Sequence, residues 1–301
     1  MSTLGILIRR NTKLFFKDKG MFFTALITPM ILLVLYATFL GNVYRDAFLA
    51  GFPAGLSVSD SLADGFVGGQ LISSILAVSC VTVAFCSNLL VVQDKANGTL
   101  RDLTVSPVDA GTLALSYYIS TFITTLCICF SAAALCFIYV GFVGWYMSVL
   151  DVFLLLFDIL LMSLFGTAFS SVVNFFLSTQ GQMSAVGSII SSTYGFICGA
   201  YMPISQFGDA LQTILMFLPG TYGTALIRTH ALSGVFAEME AQNYPRECID
   251  GIRHSIDADI YFFDHLVPTY VMYLVVGIVT ALLVLAFVLL HAKRHKGKKP
   301  L

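Results

Sequence analysis

Between Asp109 and Asp151, and again between Asp158 and Asp209, this chain carries no charged residue. Water-soluble folds do not need uncharged runs of that length. A membrane does, because a hydrocarbon core of roughly 30 Å takes about 20 apolar helical residues to cross. The backbone inside it must also satisfy its own hydrogen bonds, which favours helices over open strands. Only 11% of the 301 residues are charged, against about 25% in ordinary soluble domains. The expectation is an all-α polytopic membrane protein.

Six transmembrane helices are expected: Met21–Leu40 with Pro29 as a kink, Phe66–Val92, Thr112–Val140, Val149–Leu177, Met183–Tyr201 and Leu266–Leu290. The first apolar run is too long for the core of a signal peptide and reads as a span. Trp145 and Tyr146 mark an interfacial turn. Residues 1–20 read as an amphipathic interface helix, with Leu4, Leu7, Ile8, Leu14 and Phe15 at helical spacing opposite Arg10, Lys13 and Lys17. The uncharged segment Ala210–Ile227 is broken by Pro219-Gly220, so 203–227 is either another span or a re-entrant helical hairpin before the last span. A polar outer loop is expected over 228–265, and a basic tail over 293–301 closes the 21–292 membrane domain.

Charge asymmetry chooses between these topologies. Lysine and arginine near span ends mark the cytoplasmic side. Arg9, Arg10, Lys13, Lys17 and Lys19 lead the chain, Lys95 and Arg101 lie between the second and third spans, and Lys293, Arg294, Lys296, Lys298 and Lys299 follow the last span. Six spans put all of these on one side, so 203–227 reads as re-entrant. The expected location is the cytoplasmic membrane, with both termini cytoplasmic.

The polar segment 93–109 reads Gln93-Asp94-Lys95-Ala96-Asn97-Gly98-Thr99-Leu100-Arg101-Asp102-Leu103-Thr104-Val105-Ser106-Pro107 through its first fifteen residues. It resembles the first cytoplasmic loop of type-2 ABC exporter permeases, in which charged residues precede Gly-Thr-Leu and Ser-Pro follows. The leader helix, the span count and the broken pair before the last span are similar to that family too. Arg101 stands where the family usually has an acidic residue, and Asn97 where one is common. The resemblance implies that this loop couples the chain to an ATPase through Asp94, Lys95, Gly98, Thr99, Leu100, Arg101 and Leu103, with Leu100 and Leu103 as the buried contact. It also implies two ABC ATPase subunits, which hold ATP and Mg, and a second copy of this chain or a paralogous permease. Spans one and five of the family meet their counterparts across that subunit interface.

No Gly-x-x-x-x-Gly-Lys-Ser/Thr phosphate loop occurs in the chain. ATP hydrolysis is accordingly expected in a separate subunit, and this chain is not expected to be an enzyme or to hold a cofactor or metal. Membrane lipid is an expected partner; nothing calls for nucleic acid. Gly187, Ser191, Gly195 and Gly199 recur every four residues, the small-residue spacing that lets membrane helices approach closely. This stripe is a candidate for either the subunit interface or packing within the chain. Asp158 lies about two turns inside the fourth span, where a carboxylate is costly and marks a pathway or a paired group. The function expected is export of an amphipathic substrate: a drug, lipid or peptide natural product. Two alternatives are a lipid-linked polysaccharide moved by the same architecture and an ion-coupled secondary transporter, which would show more intramembrane charges and repeated halves.

Overall fold

The computed structural model describes residues 2–53, 58–106, 108–263 and 265–296. The side chains of the expected basic tail, and Pro107, lie outside the described part. Ser2 caps α1 (Thr3–Lys17) by accepting from the Gly5 N–H, and Lys17 lies in the last turn, where a cation suits the helix dipole. Leu7, Asn11 and Phe15, spaced by four, form its buried face and pack with α7 (Ala110–Val143). Arg10 therefore does not join Lys13 and Lys17 on an outward stripe, as the pattern suggested; it reaches inward to Asp94.

The first span is longer than expected. α2 (Lys19–Leu35) passes through Pro29 into a π-helical turn at Tyr36–Leu40, and α3 (Gly41–Ala50) continues it. Residues read as the start of a loop are thus helical. Arg45 supplies the reason, because it pairs with Asp60 and Asp64 at the start of α4 (Asp60–Ser87) and is balanced there.

α4 occupies the centre of the molecule and is buried along nearly its whole length. Gly65, Gly68, Gly69, Ser73, Ser74 and Ala77 leave room for neighbours to approach, the packing mode that works where hydrophobicity alone cannot distinguish helix from lipid. α5 (Leu89–Ala96) and α6 (Thr99–Val105) follow, then α7, which begins where Asp109 caps the Gly111 and Thr112 N–H groups. A Ser148–Asp151 capping box starts α8 (Val149–Phe176). α8 crosses α4 at Gly166, where an added Cβ would lie only 3.0 Å from the Val81 Cα.

A Thr179–Gln182 capping box starts α9 (Gln180–Ile197), which lies at the periphery against α4 and α5. α10 (Asp209–Leu215) and α11 (Pro219–Ala241) meet at an 85° bend, with Pro219 at the first helical position, where its missing N–H costs nothing. α11 runs unbroken through the boundary read at 227. The expected loop 228–265 is therefore largely helical, since α12 (Arg246–Ser255) follows and a two-residue hairpin pairs Tyr261–Phe262 with His265–Leu266. α13 (Thr269–Lys296) ends the described chain.

Among the described residues, five helical segments are long and apolar enough to cross a membrane: Lys19–Ala50, Asp60–Ala96, Ala110–Val143, Val149–Phe176 and Thr269–His291. The bent α10–α11 pair makes a sixth if taken as one span. α9, expected as the fifth span, is outside this set. Large apolar side chains cover the exterior, among them Phe23, Ile31, Leu135, Phe153, Leu274 and Leu282. Ser, Thr, Asn and Gln side chains are buried within, on α4, α7 and α8. Apolar surface outside and polar glue inside is the arrangement of a multi-pass membrane protein.

Candidate functional site

The polar segment between α4 and α7 folds as two short helices joined at Gly98. Asn97 and Gly98 close α5, their N–H groups donating to the carbonyls of Gln93 and Lys95. Gly98 has φ +81°, the left-handed conformation that lets one residue end a helix and start the next without a side-chain penalty. Thr99 opens α6.

Asp94 and Lys95 tie this unit to three other helices. The buried Asp94 carboxylate accepts from Arg10 at 2.9 Å and from the Tyr117 hydroxyl, joining α5 to α1 and α7. Burial acts to lower the Arg10 pKa, but its hydrogen bond to Asp94 and the charge of that carboxylate outweigh this and raise it. The Lys95 ammonium donates to the carbonyls of Asn174, Phe175 and Leu177 at 2.8, 3.1 and 3.0 Å. A cation on the last carbonyls of α8 satisfies acceptors that the helix itself leaves open and complements its dipole.

α6 has two distinct sides. Leu100 and Leu103 are half-buried and pack on the chain's own cluster of Leu7, Phe15, Leu90 and Leu113. Within the chain these leucines pack inward, and each keeps part of its surface exposed. The exposed residues are Arg101, Asp102, Thr104 and Val105, and Val105 is 83% exposed. A seven-residue helix offers too short a pattern to tell an inward leucine pair from an outward one, because both faces carry an apolar residue.

Asp158 on α8 is 0% exposed and fully paired. One carboxylate oxygen lies 2.6 Å from His230 Nδ1 on α11, and the other accepts from the Tyr273 hydroxyl on α13 at 2.6 Å. A pathway position or a paired group is expected at Asp158, and His230 and Tyr273 are partners that no sequence spacing names. Two residues before His230, Arg228 is also buried, donating to the Gly199 carbonyl at 2.8 Å and to the Ile256 carbonyl. The expected outer loop 228–265 begins at Arg228, but its guanidinium instead joins the end of α9 to the end of α12.

The α9 stripe divides. Gly187 faces open space and Ser191 is half-buried, whereas Gly195 is covered by the Tyr201 ring of the same chain. Gly199 lies beyond the helix, with φ +72° and Ile204 against it. Gly195 and Gly199 therefore serve packing and turning within the chain, which leaves Gly187 and Ser191 facing outward or nearly so.

No curated protein is significantly similar to the chain. The family described as ABC-2 type transporter matches residues 2–231, which include α1, the α5–α6 unit, α8 with Asp158, and most of α11. The match extends over well over half of the sequence, and the chain belongs to the ABC-2 type transporter family as the transmembrane component of an ABC transporter.

Proposed function

We propose that this chain is the permease of an exporter for amphipathic substrates, driven through α6 by ATPase subunits that hold ATP and Mg. The observation that carries this reading is the two-sidedness of α6. Its leucines are anchored in the permease, Asp94 and Lys95 bind its base to α1, α7 and α8, and Asp102 and Val105 are exposed, as are Arg101 and Thr104. A helix so held transmits an applied push to its own bundle rather than flexing. The basic residues of α1 and the α5–α6 unit favour a cytoplasmic position for this end, with both termini on the same side. An even number of spans meets that condition; in this reading α9 is the fifth span and α10–α11 a re-entrant hairpin, and the bent α10–α11 pair taken as one span in place of α9 gives the same count.

α9 supports a second copy or paralogue at the substrate path. Ser184, Ser188, Ser192 and Thr193 are all exposed on it. Polar groups at membrane depth are poorly placed against lipid and well placed against another subunit or a watered pathway.

The test is Val105→Asp, measured by copurification of the ATPase and by substrate-stimulated hydrolysis in vesicles. Burying a valine side chain at an interface contributes about 1.5–3 kcal/mol, so the ATPase should bind about 10- to 100-fold more weakly, with the permease folded normally. Unchanged copurification and coupling in Val105→Asp would remove α6 as the drive point.

A further inference from the structure

A cavity of about 600 Å³ lies beneath α6, between the start of α7, the end of α8 and the end of α13. Its volume is in the range of sites that take drug-sized ligands. Its walls combine two chemistries. Tyr118 and Phe287 are among its aromatic residues, His291 lies against the Phe287 ring, Arg101 brings a guanidinium, and Lys95, its N–H groups donating to the end of α8, adds positive charge. Among the described lining residues there is no Asp or Glu. Asp94, behind Tyr117, is already clasped by Arg10 and by the Tyr117 hydroxyl.

Two polar groups in the wall lack partners. Arg101 makes no side-chain hydrogen bond or ion pair among the described residues. Asn174 is 1% exposed, and neither atom of its carboxamide has a partner among them. Leaving buried amide groups unpaired is costly in a finished structure; a ligand's oxygen acceptors would answer the Arg101 guanidinium and the Asn174 Nδ2, and a headgroup hydroxyl would answer the Asn174 Oδ1. An apolar ligand would leave them unmet, and an acidic cleft-seeking cation would meet Lys95 and Arg101 as repulsion.

We propose that this cavity binds the phosphate headgroup and upper chain of an anionic membrane phospholipid, placed between α6 and α13. The phosphate would lie toward Arg101 and Asn174, and the hydrocarbon along Tyr118 and Phe287. That the lipid comes from the cytoplasmic leaflet rests on the orientation proposed above; the site's preference for phosphate does not.

The experiment uses the full permease–ATPase complex in vesicles of equimolar phosphatidylglycerol and phosphatidylcholine. A photoreactive residue is placed in the cavity by Tyr118→p-benzoylphenylalanine, and the crosslinked lipids are identified by mass spectrometry. Phe142, 88% exposed on the outer surface of α7, carries the same probe as a reference for bulk lipid. Phosphatidylglycerol should be enriched at position 118 relative to 142 by about fivefold for each engaged cation. Arg101→Gln should remove about one such factor. Equal ratios at the two positions, or no lipid at 118 while 142 reacts, would overturn the proposal. Loss of the enrichment on adding inorganic phosphate would assign the site to soluble phosphate and overturn the lipid source. Val105→Asp separates this from the drive role: it should release the ATPase and keep the enrichment, and enrichment lost together with the ATPase would show that the cavity does not bind lipid by itself.

Discussion

Asp158 concentrates what single residues in this chain contribute. A carboxylate in the membrane interior is tolerable only with partners, and it has two, His230 and Tyr273, from helices 72 and 115 residues further along. That Asp158 needs either partners or a watered pathway was legible in the sequence, because desolvating a carboxylate is costly wherever it occurs. Their identity was not, since neither lies near Asp158 in the chain and a lone His or Tyr on an apolar helix has many uses. Asp158→Leu strands both, and breaking a buried pair in this way costs about 3–5 kcal/mol. We expect Asp158→Leu to lower the midpoint of thermal unfolding in detergent sharply and Asp158→Asn to lower it much less. The same midpoint for Asp158→Leu and wild type would mean that the contact carries no stability. Arg228 shows the opposite error: a charge ordinarily marks a loop, yet here backbone carbonyls from two helix ends occupy the guanidinium.

At the scale of elements, the long apolar helices were readable because uncharged length is nearly sufficient evidence for them. Short helices were not. α6, with seven residues, shows its composition but not which side faces in. The four-residue repeat of small residues in α9 left two uses open, and the helix ends at Ile197, so the chain turns before Gly199 completes the pattern. Gly98 offers a clean test of how α5 and α6 are joined. An added Cβ there meets nothing within 4 Å, so substitution carries a conformational cost without a clash. A left-handed β-branched residue costs roughly 1–2 kcal/mol, and asparagine much less. Gly98→Val should therefore reduce coupled ATP hydrolysis while Gly98→Asn stays near wild type; equal loss in both variants would mean that the glycine is needed for contact rather than conformation.

For the whole molecule, the division of the α9 stripe predicts which face meets a second subunit. Gly187→Leu adds bulk to an open surface and should reduce dimer recovery in crosslinking, with the monomer stable. Gly195→Leu meets Tyr201 of its own chain and should destabilise the monomer instead. If Gly187→Leu dimerises as wild type does, the partner is seated elsewhere. The clamp of Lys95 on the end of α8 has a mechanical reading at the same scale. α8 has 28 residues and is therefore about 42 Å long. It is gripped at one end by Lys95 and crosses the central helix at Gly166, nearer that grip than the far end. A rod pivoting there magnifies whatever moves its short arm: a tilt of about 5° displaces the long arm by only a little over 2 Å. Asp158 lies on that arm about 12 Å from the crossing, so the same tilt would move it by about 1 Å, and its bonds to His230 on α11 and Tyr273 on α13 would share that displacement among three helices.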